Sequence, residues 1–154
     1  MTDALDNVDP SRPATASQAA GLTLAAARRV VAAVLAEGRA MGVPLSAAVI
    51  DAGDQLVAFE RMDAADLVST SLALDKAYSA LMNRMPTGDL GPYAQPGAEF
   101  YGYESLSGGR MVVFGGGLPL VRDGVLVGAI GVSGGSAEQD AQAAEAGVRA
   151  FASR

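Results

Sequence analysis

The sequence predicts an α+β fold, a five-stranded antiparallel sheet with helices stacked on it, in the order α-β-β-α-β-β-β-α. Three observations carry this. Long segments repeat apolar residues at helical spacing. Short apolar runs lie between those segments, bounded by glycine. Two pairs of the short runs are joined by tight turns, Ala52-Gly53-Asp54 and Asp123-Gly124, and hairpin-joined strands make a sheet antiparallel.

Each element has its own signal. Thr23 can cap a helix over about Leu24 to Met41, where Ala27, Val30, Val31, Val34 and Leu35 share a face, and Gly42 and Pro44 end it. Leu45 to Asp51 reads as a strand, and Gln55 to Arg61 returns beside it. A second helix is predicted over about Leu67 to Asn83. Pro86 to Gly109 reads as an irregular loop holding three of the four tyrosines; loops of this length inside a domain are unusual and often functional. Arg110 to Phe114 is predicted as a strand. Leu118 to Arg122 and Val125 to Val132 form the second hairpin, and a last helix covers about Ala137 to Ala152. Val125 to Val132 is apolar on both faces, which suits a central strand or a face turned to another subunit. The arrangement is profilin-like. Residues 22–154 are expected to form one domain, preceded by a disordered or extended tail over residues 1–21.

Composition excludes much chemistry. There is no histidine and no cysteine, so a Ser-His-Asp triad, a thiolate nucleophile and a His- or Cys-bound zinc are all impossible. The formal net charge of −6 argues against nucleic acid and anionic membranes as partners. No apolar run reaches the roughly 20 residues that span a bilayer. The N-terminus has neither the basic nor the apolar region of a secretory signal, so a cytoplasmic location is expected.

Four groups of residues are candidates for function. On the second helix, Leu67, Ser71, Leu74, Tyr78 and Leu81 read as the core stripe. Ser69 and Lys76 are then nearly eclipsed on the opposite side, beside Leu72, Ala73 and Ala80. That face reads as a shallow pocket or subunit groove presenting one ammonium, or as a lysine lying over its apolar neighbours. In Ser133-Gly134-Gly135-Ser136, a glycine turn opens a helix, with capping-box spacing from Ser136 to Gln139. Free amides there can hold an anion, but Glu138 and Asp140 already supply negative charge. Asp140 sits at the edge of the apolar stripe, and Arg61 or Lys76 could pair with it. Phe114-Gly115-Gly116-Gly117 fits a sharp reversal or close approach by a ligand. Tyr93, Tyr101, Tyr103, Glu99 and Glu104 cluster in the loop, where a phenol can stack, donate a proton or ligate iron, or simply pack the open end of the sheet.

Taken together, several motifs resemble the GlcG/HbpS family. They are Val49-Ile50-Asp51-Ala52-Gly53, Arg61-Met62-Asp63-Ala64-Ala65, Ser69 through Lys76-Ala77-Tyr78, Gly115-Gly116-Gly117-Leu118-Pro119-Leu120, and Val127-Gly128-Ala129-Ile130-Gly131-Val132-Ser133-Gly134-Gly135 with Glu138-Gln139-Asp140. The resemblance covers about Leu22 to Phe151. It implies a profilin-like fold, homo-oligomers from dimers to octamers, and, through the related C-terminal domain of PduO proteins, haem as a ligand. This chain departs at Asp54 and Ala64, where the family favours glycine. Without histidine, haem would need Tyr, Met or Lys on iron, or would be held by its propionates and ring faces alone, so weak or absent haem binding is expected, and the residues themselves call for no cofactor.

The first functional expectation is therefore a small-molecule-binding protein. Its ligand-binding candidates are Ser69, Lys76, Tyr101, Tyr103, Phe114, Gly115, Gly116, Ser133 and Gly134; no metal site is expected. A cofactor-independent enzyme is the alternative, with Lys76, Asp140, Tyr103 and Arg61 as catalytic candidates for proton transfer, isomerisation, cyclisation or imine chemistry. A structural oligomer partner is the third reading.

Overall fold

The computed structural model describes residues 16–153. The tail expected over residues 1–21 lies mostly outside them; its end contains one helical turn, α1 (Ala16–Ala19). Then follow α2 (Leu24–Met41), β1 (Ser46–Asp51), β2 (Leu56–Arg61), α3 (Ser69–Asn83) and α4 (Thr87–Ala94). A 3-10 turn (Tyr103–Ser105) leads into the short α5 (Leu106–Gly109), and β3 (Gly117–Arg122), β4 (Val125–Ser133) and α6 (Ala137–Ala152) complete the order.

The sheet has four strands, in the order β2-β1-β4-β3, with every pairing antiparallel. This corrects the expected five-stranded sheet and its α-β-β-α-β-β-β-α order. The strand predicted over Arg110 to Phe114 does not form, because its backbone groups find other partners. Ser79 Oγ accepts from the Val112 amide at 2.8 Å and contacts the Arg110 carbonyl at 3.0 Å, and Thr87 Oγ1 donates to the Phe114 carbonyl at 2.6 Å. Met111 and Val112 are buried, so the apolar run is a packed segment tied to α3 and α4.

β4 lies between β1 and β3, consistent with its apolar character on both faces. β3 is an edge strand, where Pro119 is tolerated. One face of the sheet carries α2 and α6 and the larger apolar core, including Val30, Val34, Val49, Ile130, Val132 and Phe151. α3 covers the other face, where Ala77, Ala80 and Leu81 meet Ile50 and Ala129. Helix ends follow local signals: Thr23 Oγ1 accepts from the Ala26 amide, and Ser136 and Gln139 form a complete capping box.

Candidate functional site

α3 packs a different face from the one the sequence suggested, and of the expected stripe Leu81 is the member buried in the core. Ser69, Ala73, Lys76, Ala77 and Ala80 are buried against the sheet, whereas Leu67 is 84% exposed, Ser71 is exposed, and Leu74 and Tyr78 are half-buried. The cause is steric. A Cβ on Gly131 would overlap the Ala73 carbonyl oxygen, and one on Gly117 would overlap that of Lys76. The helix backbone lies almost on the strands, and only a stripe of small residues allows that approach. Ser69 and Lys76 therefore line neither an open groove nor an exposed seam.

Lys76 enters this layer as a buried cation with 0% exposure. Its Nζ donates to Asp140 Oδ2 at 2.6 Å and to the Val132 carbonyl at 3.0 Å. The Phe114 ring stands over it, 5.0 Å from the ammonium, within cation–π range. Asp140, also buried, takes the Gly135 amide on Oδ1 at 2.8 Å. The glycine cluster makes room for the pair. Gly116 has a φ of 123°, and a Cβ there would stand 2.8 Å from Lys76 Nζ and 2.5 Å from the Val132 carbonyl. A Cβ on Gly115 would meet the Ala137 carbonyl at 2.5 Å. One ion pair thus joins α3, the end of β4, the Gly115–Gly117 reversal and the start of α6.

Burial dominates the titration of both partners. Desolvation pushes the Lys76 ammonium below its ordinary 10.5, and the hydrogen bond and charge of Asp140 oppose it. Desolvation likewise lifts Asp140 above 3.8, opposed by Lys76 and by the amides of Gly135 and Gly134. Among the described residues no buried side-chain nitrogen or oxygen lacks a hydrogen-bond partner, and with 0% exposure at Lys76 the cluster reads chemically as a closed structural pair.

An open cavity lies elsewhere. Asn83 ends α3 about 10 Å along the axis from Lys76, and Asn83, Met85, Leu90, Tyr93, Ala94, Phe100 and Tyr103 enclose a cavity of about 360 Å³. Its walls are almost entirely apolar. Leu90 and Ala94 come from one face of α4, and Tyr93, Phe100 and Tyr103 form a run of tilted rings with centroids 6.2 Å apart. The polar feature is a pair: Tyr103 Oη donates to Asn83 Oδ1 at 2.5 Å, and Asn83 Nδ2 donates to the Ser79 carbonyl at 2.8 Å.

The sequence-derived candidates therefore separate. Lys76, Asp140, Phe114, Gly116 and the Val132–Gly135 turn that includes Ser133 and Gly134 converge on the ion pair, with Gly115 in the adjoining reversal. Ser69 bonds to Ser46 Oγ at 2.8 Å and to the Asp66 carbonyl. Arg61 is exposed at the end of edge strand β2, opposite Ser46 in register. Tyr101 is 70% exposed and is not part of the cavity wall, whereas Tyr103 is. Asn83, Met85, Leu90, Ala94 and Phe100 were missed. Two glycines and Pro92 disguised α4 as loop, although Leu90 and Ala94 keep helical spacing.

Residues 22–149 match the model of the family described as haem degrading protein HbpS-like, and the chain belongs to that family. Among its relatives, an uncharacterised 15.0 kDa protein from the dhaT-dhaS intergenic region of Citrobacter freundii is 41% identical, over 87% of this chain and 94% of its own. The corrinoid adenosyltransferase PduO of Salmonella typhimurium is 40% identical over 77% of this chain, which spans only 35% of PduO. Solved structures agree. Klebsiella pneumoniae protein ORFY superposes with a TM-score of 0.85 at 33% identity, covering 96% of this chain and 98% of that one. The PduOC:haem complex superposes at 0.81 and 38% identity, covering 84% and 94%. HbpS superposes at 0.77 and 29%, covering 83% and 88%.

Proposed function

We propose that this chain is a small-molecule-binding protein whose ligand, flat and mostly apolar, sits in the cavity between α4 and the C-terminal end of α3. The observation that carries the reading is the cavity itself: about 360 Å³, walled by three aromatic rings, with one oriented polar pair at Tyr103 and Asn83. That is the form of a small-molecule site, apolar lining with a few placed polar groups. The relatives put haem first among candidate ligands.

Iron ligation by this chain does not fit. It has no histidine or cysteine, the Lys76 amine is enclosed in its ion pair, and the Tyr103 hydroxyl is held as a donor to Asn83. Met85 offers a lone thioether, a ligand that serves haem beside a histidine. Contact with the ring faces fits better, so haem binding here is by apolar contact. Imine chemistry at Lys76 is not favoured, since the closed ion pair gives a carbonyl substrate no access to the amine. The reading takes residues 22–154 as one unit, and includes a homo-oligomeric state and a cytoplasmic location. No helix among the described residues is long and apolar enough to cross a membrane.

The test is a hemin titration of the purified chain followed at the Soret band. Saturable binding is expected. Leu90→Trp and Ala94→Trp each fill the cavity and should abolish binding while circular dichroism shows the fold retained. Binding that survives in both folded variants would move the ligand elsewhere.

A further inference from the structure

We infer that the cavity selects an aromatic ligand of about two fused rings carrying a hydroxyl or N–H group on its inserted edge, and that it reads this group through the oxygen of Tyr103. The inference rests on the cavity being the ligand site.

The direction of the hydrogen bonds decides it. Asn83 Nδ2 donates to the Ser79 carbonyl at 2.8 Å and lies 3.7 Å from Met111 Sδ. The amide nitrogen is thereby turned into the protein, and its carbonyl oxygen faces Tyr103. Two acceptors cannot share a contact of 2.5 Å, so the Tyr103 proton points at Asn83. Both partners are then committed, and what Tyr103 offers a ligand is an oxygen lone pair. A ligand edge that donates gains a hydrogen bond there, and an edge that only accepts meets another acceptor. A phenolate on iron would require losing the proton that holds Tyr103 to Asn83, leaving two oxygens face to face. The same bond that orients the phenol therefore opposes tyrosinate ligation. Size and shape agree. The rings of Tyr93, Phe100 and Tyr103 line the cavity together with Met85, Leu90 and Ala94, and about 360 Å³ is room for a bicyclic aromatic.

Calorimetric titration with 2-naphthol, 2-methoxynaphthalene and hemin tests this on the intact chain. The naphthol and its methyl ether share the same rings, and only the first can donate. About tenfold tighter binding of 2-naphthol is expected, the size of one hydrogen bond to a neutral group. In Tyr103→Phe/Asn83→Leu, which removes the acceptor and its orienting partner together, the two should bind alike. Equal binding in the unmodified chain, or tighter binding of the ether, would overturn the inference while leaving the cavity as the site. Hemin bound with a Soret shift that Tyr103→Phe abolishes would overturn it through iron ligation. Absence of saturable binding by all three would overturn it together with the site assignment.

Discussion

Replacing Lys76 with methionine should be among the most damaging single changes outside the apolar core. Methionine keeps the apolar stem but removes the charge, the 2.6 Å bond to Asp140 and the 3.0 Å bond to the Val132 carbonyl. Asp140 is only 2% exposed and would retain its backbone amides alone against a buried negative charge. Removing one partner of a buried pair costs roughly 3–5 kcal/mol, against about 0–1 kcal/mol for an exposed pair. At about 2–4 °C per kcal/mol for a domain of this size, Tm should fall by about 6–20 °C. Lys76→Met/Asp140→Asn should recover most of the loss, because no charge remains buried and a carboxamide oxygen can still accept from Gly135. Urea unfolding followed by circular dichroism, at fixed protein concentration, measures both variants, and an unchanged m value shows that stability alone has moved. A single-variant loss below about 1 kcal/mol would mean that the pair behaves as if solvated. A double variant as weak as the single one would show that unpaired charge is not the cause.

Other outcomes follow from the same contacts. Asp140, raised by burial, contributes stability that is present below 3.8 and lost as pH rises through its folded value; Lys76, lowered by burial, contributes stability present above 10.5 and lost as pH falls through its folded value. Compared with Lys76→Met/Asp140→Asn, the unmodified chain should therefore be relatively weakest near neutrality and gain toward both extremes; unfolding series across pH check this, and a relative maximum at neutrality would contradict it. Gly131→Ala should cost about 1–3 kcal/mol or more by forcing α3 off the sheet, measurable as a lower urea midpoint. Arg110 bridges Asp54 at 3.0 Å and Asp75 at 3.2 Å at a partly exposed position, so Arg110→Ala should cost about 1 kcal/mol or less in the same assay at 0.15 M salt (about physiological ionic strength), and less still at high salt.

What was legible in the sequence was local. The Thr23 cap, the two turns and the Ser136 capping box involve residues within a few positions of one another, and the structure forms each of them. What escaped depends on distant partners. Met111 and Val112 look like strand residues, but Ser79 and Thr87, far away in sequence, decide where that segment's backbone bonds go. On α3 the larger side chains suggested the core face, whereas closeness to Gly131 and Gly117 required the Ala73, Ala77 and Ala80 side. The pairing of alanines at helical spacing with glycines in the facing strands was the available signal. Within the candidate site, Tyr103 was legible as a phenol in an unusually long loop. Asn83 was not, because its role comes from a bond to Tyr103, which only the fold brings near.

The ion pair also changes how the missing histidine bears on function. Lys76 and Asp140 occupy the centre of the motifs by which the chain resembles its family, and here they close a contact between α3, β4 and α6. Their chemistry is consumed in holding the glycine reversal against the helices, so they cannot stand in for an absent imidazole. On the proposed reading the ligand is met instead where α4 and the tyrosines provide rings, one amide and hydroxyl groups. Phe114 and Gly116 belong to the junction with that pair, whereas Leu90, Ala94, Phe100 and Tyr103 line the cavity, so ligand choice can vary there while the buried pair fixes the scaffold. Ligand specificity in this chain should then respond to changes at Leu90, Ala94, Phe100 and Tyr103, while stability responds to changes at Lys76, Gly131 and Asp140.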